Sequence, residues 1–295
     1  MVTVIIPARP GGPTPPSVAG ARALDWPADR LEVIVVRGRH PAVQRNAGLA
    51  AASGAWIYFL DDDAMPDPAN LQRARRWLTG AVVGGGGPAL EAEGSSSLQR
   101  VFAAVMANTL ATGPSASRYR VNGALHPASE KELIGCNLIL RRDVVEEAGG
   151  FPQLYPNEEN VLLDRVRGAG GALMYDPEVV VRRPPRRTVR TFVLMLFRYG
   201  IGRGGQLRRH PGVGSLANLL PAVFVLWPAF VLLAPRLGWA AVPYLAAVLW
   251  SVRGRAAEGI GVVAVHHAYG AGVWWGLVRG VALADPGTSV VLERH

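Results

Sequence analysis

Residues 58–68 read YFLDDDAMPDP, an aromatic and apolar run that ends in three consecutive aspartates. Like charges side by side repel, and more so where a strand end meets low-dielectric protein. Asp61, Asp62 and Asp63 therefore call for a positive neighbour. The candidates are an arginine, a helix N-terminus, solvation in a loop, or a divalent cation held through hard carboxylate oxygens. Cys136 is the one cysteine, so a disulfide within the chain and a multi-cysteine zinc site are excluded, which fits a reducing compartment. Of the 31 basic residues only Lys131 is a lysine, which leaves anion contacts to guanidinium forks suited to phosphate. The net charge of +9 also raises nucleic acid as a partner, but the arginines do not alternate with stacking aromatics, and it is set aside.

The elements that must position these aspartates are legible as short apolar runs. VTVIIP (2–7), LEVIVVRG (31–38) and AWIYFL (55–60) have strand composition. The alanine-rich segment 43–52, whose one breaker is Gly48, predicts a helix between the second and third. Strand, helix, strand with apolar runs of this length predicts an α/β fold with a mostly parallel sheet covered on both faces; AVVGG (81–85) can add a further strand. Ligands of such sheets bind beyond the carboxyl ends of the strands, where Asp61 to Asp63 fall.

A different composition begins near Ser215. LANLLPAVFVLWPAFVLLA (216–234) runs without a charge for about the length that crosses a bilayer, and LGWAAVPYLAAVLWSV (237–252) follows after a loop holding Arg236 and is closed by Arg253 and Arg255. The pair predicts a transmembrane hairpin, the alternative being buried helices. GIGVVAVHHAYGAGVWWGLV (259–278) carries two histidines and either spans, re-enters or lies at the interface. Between the two regimes, Arg182 to Arg209 holds nine arginines and no acid. The positive-inside rule then puts the N-terminal domain in the cytoplasm, on the cytoplasmic membrane, and the basic stretch suits anionic headgroups or a phosphate-bearing lipid.

Taken together, VTVIIPAR, EVIVV, QRNAGLAAASGAWIYFLDDDAMPDP, IGCNLILRRDVVEEAGGF and NEENVLLDRVRGAGGALMYDPEVVV resemble, in order and spacing, the family 2 glycosyltransferases. The resemblance covers about residues 2–210 and implies a GT-A (Rossmann-like) nucleotide-sugar-binding domain over 1–181. A basic juxtamembrane segment (182–214) and C-terminal membrane helices (215–295) would follow. FRYGIGRG and HHAYGAGVWWG resemble membrane-anchored members that build exopolysaccharide or lipid-linked saccharides.

The resemblance implies roles for particular residues. Asp61, Asp62 and Asp63 match the Asp-x-Asp motif: Asp63, with Asp61, would bind Mn2+ or Mg2+ bridging the phosphates of a sugar nucleotide, and Asp61 would also face the ribose. Pro7, Arg9, Arg45, Asn46 and Asp62 would line the nucleotide sugar, with one of Arg45 and Asn46 reaching the nucleotide and the other fixing the loop, Arg45 being alternatively an ion-pair partner of the aspartates. Glu159, in the family's Glu-Asp position, would be the general base of an inverting transfer. Its neighbour Glu158 points about 100° away on a helix, so one of the two serves; the alternative is that both merely favour the helix dipole. Gly135, Asn137 and Arg165 would shape the acceptor side, while Cys136 is a packed thiol.

Arg183, Arg198 and Arg203 are candidates for a phosphate or lipid head. Three departures stand out: Arg37 where members carry an Asp that contacts the base, Pro10 and Gly11 in place of Asn-Glu, and Arg183 in place of a metal-completing His. The expected partners are a nucleotide-diphosphate sugar and a lipid-linked saccharide or polyprenyl-type acceptor at a membrane. A polyprenyl-phosphate glycosyltransferase and a non-catalytic scaffold of the same fold are the alternatives.

Overall fold

In the computed structural model, which describes residues 1–78, 80–209, 219–281 and 288–295, the first three apolar runs form neighbouring parallel strands. They are β1 (Val2–Ala8), β2 (Leu31–Arg37) and β3 (Trp56–Leu60), with β1 in the middle. Side chains alternate across the pleat. Val4, Ile6, Val33, Val35, Tyr58 and Leu60 belong to one buried layer, and Ile5, Ile34, Val36, Ile57 and Phe59 to the other. Burial on both faces is why these strands read as continuous apolar runs. Helix α1 (Pro16–Arg22) packs Val18 and Ala21 into the first layer, and α2 (Pro41–Ala51) packs Ala42 and Leu49 into the second. Gly48 serves close approach: a Cβ there would meet Ile5 Cγ2 at 2.6 Å, so only glycine lets α2 lie this near β1.

Beyond β4 (Met65–Pro66), the chain adds β5 (Val82–Gly86), β6 (Ala89–Glu91), β7 (His126–Pro127), β8 (Asn137–Arg141), β9 (Ala172–Tyr175), β10 (Val181–Arg183) and β11 (Val291–Arg294). The large sheet has the order β11-β2-β1-β3-β8-β5-β9-β7, and β4, β10 and β6 form a small second sheet. The expectation of a mostly parallel sheet is corrected: β8 runs antiparallel to both β3 and β5, β11 to β2 and β7 to β9, so the sheet is mixed. Strand direction is set by connections, which an apolar run does not encode.

Two compact units emerge, one of Met1–Glu93, Ser117–Pro184 and Leu283–His295, the other of Gly94–Ala116 and Pro185–Ala282. This division differs from one at residues 181 and 214. Residues 94–116 join the helical unit, while β11 returns to the sheet, pairing Leu292 with Val36.

The first unit also holds α3 (Asn70–Ala74); α4 (Ser97–Met106) and α5 (Thr109–Thr112) lie in the second, and α6 (Arg142–Glu147) and α7 (Glu158–Gly168) in the first. The second unit continues with α8 (Val189–Arg209), α9 (Leu220–Leu233), α10 (Ala241–Ser251) and α11 (Ala256–Arg279). Helices α8 and α11 cross backbone against backbone. A Cβ on Gly200 would strike the Tyr269 carbonyl, and one on Gly276 the Ile201 carbonyl, so this glycine seam is what the GIGRG and YGAGVWWG segments encode. The histidines of the third apolar segment are satisfied within this unit. His266 bonds the Tyr244 hydroxyl at 2.8 Å and the Leu110 carbonyl at 2.9 Å, and His267 the Val263 carbonyl at 2.9 Å.

The expected transmembrane hairpin is corrected: among the described residues no helix is long and apolar enough to cross a membrane. Residues 216–218 of the first candidate lie outside the described residues. Its helix, α9, has 14 residues and α10 has 11, about 21 and 17 Å against a hydrocarbon core of about 30 Å. Helix α11, with 24 residues, has the length but carries Glu258, His266 and His267.

Candidate active site

Asp61, Asp62 and Asp63 follow directly on β3, at the carboxyl end of the central strands, all three partly exposed. Two arginines supply the positive neighbours that their repulsion calls for. Arg45, on α2, places Nη2 3.0 Å from Asp61 Oδ1, and Arg183, the last residue of β10, places Nη1 3.0 Å from Asp61 Oδ2. Asp61 thus takes one guanidinium on each oxygen. The other arm of Arg183 reaches Asp63, with Nη2 3.1 Å from Oδ1 and bonding Oδ2 at 3.3 Å. Asp63 Oδ1 itself is buried and accepts no hydrogen bond, despite its distance to that nitrogen. Burial raises the pKa of the Asp62 carboxyl, with Asp63 and Asp61 adding to the effect while Arg183 and Arg9 oppose it. Arg9, exposed at the end of β1 just beyond Pro7, is thereby near enough to act on Asp62.

From Arg45 the network runs to α7. Nη1 of Arg45 lies 2.7 Å from Glu158 Oε1, and the guanidinium stands 5.4 Å over the Phe151 ring. Glu158 and Glu159 open the helix, where the dipole favours negative charge. They fare differently. Glu158 is 3% exposed, and burial, with Glu159 adding, pushes its pKa up to about 7 against the pull of Arg45. Its Oε2 has no hydrogen-bond partner. The side chain of Glu159 is 17% exposed and its Oε1 stands 4.0 Å from Arg118 Nη1, at the limit of an ion pair. Gly135 lies against this group: a Cβ there would stand 3.4 Å from Glu159 Cβ and Cγ and 3.6 Å from Arg45 Nη2.

Several expected site residues have other work. Asn46 is not free for a nucleotide, since its Nδ2 bonds the Phe151 carbonyl and its Oδ1 accepts from the Phe151 amide, both at 2.8 Å. Asn137 is fully buried, accepting from the Tyr58 hydroxyl at 2.8 Å and donating to the Val179 carbonyl at 2.8 Å, so it supports the strand ends and does not face an acceptor. Arg165 is exposed and bonds the Ala148 carbonyl at 3.3 Å, bracing α6 against α7. Of the phosphate candidates, Arg183 is in the site. Arg198 and Arg203 lie on α8 in the other unit, Arg198 exposed and Arg203 buried with Nη1 bonded to Gln206 Oε1 at 3.0 Å. Arg37 bonds Glu293 Oε1 of β11 at 2.6 Å. Cys136 is 1% exposed and burial pushes its thiol up to about 12, which removes it as a nucleophile.

Arg118, which the sequence motifs do not single out, stands beside Glu159. It donates Nε to the Lys131 carbonyl at 2.8 Å and also bonds Asn160 Oδ1 beside Glu159. The one signal for it is its place in the basic segment SRYR.

Among the described residues no group of three or more His, Cys, Asp and Glu is arranged to hold a metal ion. Asp61 and Asp63 offer hard oxygens, and the unbonded Asp63 Oδ1 fits a cation. Further ligands would have to come from a bound diphosphate and water.

Residues 12–149 match the family model described as Glycosyl transferase family 2. Glycosyltransferase AglE of Haloferax volcanii is 26% identical over 173 residues, 56% of this chain and 52% of the relative. The match thus spans about half the length of that curated protein. Mannosyltransferase PcManGT of Pyrobaculum calidifontis, solved in complex with GDP-Man and Mn2+, is 18% identical, with a TM-score of 0.63 over 93% of this chain and 87% of that one. The likeness to it is one of fold.

Proposed function

We propose that this chain, a glycosyltransferase carrying a family 2 domain on a GT-A-like α/β fold, transfers a sugar from a nucleoside-diphosphate donor to an acceptor hydroxyl, with inversion. The observation that carries the proposal is the chain of ion pairs from Asp61 through Arg45 to Glu158, which ties the aspartates at the end of β3 to the first turn of α7 where Glu159 stands. Glu158 is committed to Arg45. Glu159 is the carboxylate left to face an acceptor beside Gly135.

In the proposed reaction Glu159 takes the proton of the acceptor hydroxyl as that oxygen attacks the anomeric carbon. The bond from that carbon to the phosphate oxygen breaks, and the nucleoside diphosphate leaves with the electron pair. Pro7, Arg9 and Arg45 line the donor side. Asp61 and Asp63 would hold Mn2+ or Mg2+, which when bound supplies positive charge for the developing diphosphate. PcManGT, solved with GDP-Man and Mn2+, supports that donor class and metal.

The acceptor is proposed to be a lipid-linked or growing saccharide at the cytoplasmic face of a membrane. In place of spans, the helical unit would lie in the bilayer interface through its exposed apolar side chains, among them Phe230, Leu232, Leu233, Trp239 and Trp250, with Arg236, Arg253 and Arg255 toward the headgroups. One observation favours the non-catalytic scaffold: Arg183 already covers Asp61 and Asp63. A donor-hydrolysis screen of purified protein against a panel of nucleotide sugars, with Mn2+ or Mg2+, separates the two. Metal-dependent release of one nucleoside diphosphate supports the enzyme, and no release from any donor supports the scaffold.

A further inference from the structure

The two guanidiniums on Asp61 differ in their freedom to leave. The side chain of Arg45 is 6% exposed and anchored from behind by that of Glu158, 4% exposed. Arg183 is 23% exposed, sits at the end of a three-residue strand, and spans two carboxylates that are 29% and 34% exposed. The oxygens it bonds, Asp61 Oδ2 and Asp63 Oδ2, are ones that a divalent cation would need, and Asp63 Oδ1, which accepts no hydrogen bond, lies 3.1 Å from its Nη2. One planar fork cannot hold both aspartates and a diphosphate at once. Nor can a guanidinium and a metal ion share the same carboxylate oxygens without strong repulsion.

We propose that Arg183 is a placeholder cation: it neutralises Asp61 and Asp63 when no metal ion is bound, gives them up when a divalent cation arrives, and moves its fork to the diphosphate of the donor. Arg45 keeps Asp61 Oδ1 throughout, so the aspartate stays oriented while its other oxygen changes partner. Metal binding and donor binding are thereby coupled through Arg183. A metal ion alone must displace a cation and gains nothing for it, whereas a metal ion with a diphosphate gives the displaced guanidinium a new anion. The inference rests on the reading of the aspartates as the donor site.

The test measures Mn2+ alone by electron paramagnetic resonance, then UDP and GDP by calorimetry with and without saturating Mn2+, in wild type, Arg183→Ala and Arg183→Lys, with circular dichroism confirming the fold. Removing the placeholder should act with opposite signs. Arg183→Ala should bind Mn2+ alone about tenfold more tightly and bind the preferred nucleotide with Mn2+ about tenfold more weakly, so that the metal–nucleotide coupling shrinks. Arg183→Lys, which keeps the charge without the fork, should fall between the two. If Arg183→Ala leaves Mn2+ affinity unchanged or weakens it while the nucleotide still binds with metal, Arg183 is not a placeholder and the donor site stands. If neither nucleotide binds wild type with Mn2+, the donor-site reading and the inference fail together.

Discussion

Arg45 Nη1 stands 2.7 Å from Glu158 Oε1, joining side chains 113 residues apart in the sequence, 6% and 4% exposed. Two buried charges at this distance stabilise each other only as a pair, and either one alone is costly. Arg45→Met should therefore destabilise the first unit by about 3–5 kcal/mol, since it strands Glu158 and removes a partner of Asp61. Arg45→Met with Glu158→Met should cost less than the single change. Urea melts of the two variants check this, and a double variant less stable than Arg45→Met contradicts it.

Glu158 also gives stability a pH dependence. Its folded pKa, raised by burial from 4.5 to about 7, exceeds its unfolded value, so the folded state holds the proton more tightly. The contribution is fully present below about pH 4.5 and is lost as pH rises through about 7. Thermal melts from pH 4.5 to 8 should show a declining component that Glu158→Gln removes. An identical pH profile in the variant would mean that the burial of Glu158 is not what sets its titration.

The parts of this molecule governed by local pattern were legible in the sequence. The runs at β1, β2 and β3 and the helix at α2 stand within a residue or two of where apolar periodicity puts them, and the aspartates fall at the strand end. What depends on distant partners was not. Asn46 and Asn137 look like site residues in their motifs, yet each is consumed by backbone groups of other segments, Phe151 for one and Val179 for the other. Arg118 gains its meaning from Glu159 and Asn160, about forty residues on. The apolar run 216–234 gave no measure of helix length: the described helix begins at Leu220 and ends at Leu233. A strand at the C-terminus, delivering Glu293 to Arg37, followed from nothing local.

Interfacial docking of the helical unit makes a prediction distinct from both spanning and solubility. The full chain should float with vesicles containing anionic lipid and stay bound in 1 M salt, because inserted apolar surface is not screened as charge contacts are. Trp239→Ser with Trp250→Ser, which removes two of the most exposed rings, should cut binding about tenfold or more. Complete release by salt would assign the contact to the arginines instead.

Glu159 is proposed to remove the acceptor proton, and acceptor-dependent transfer by Glu159→Gln reads that step once the screen has identified a donor. Glutamine keeps the size and the polar contact toward Arg118 but cannot take the proton. Transfer should fall about 100-fold or more with donor affinity near wild type, and Glu158→Gln should lose less. Wild-type transfer by Glu159→Gln would contradict the assignment, and loss confined to Glu158→Gln would move the base to the neighbouring carboxylate.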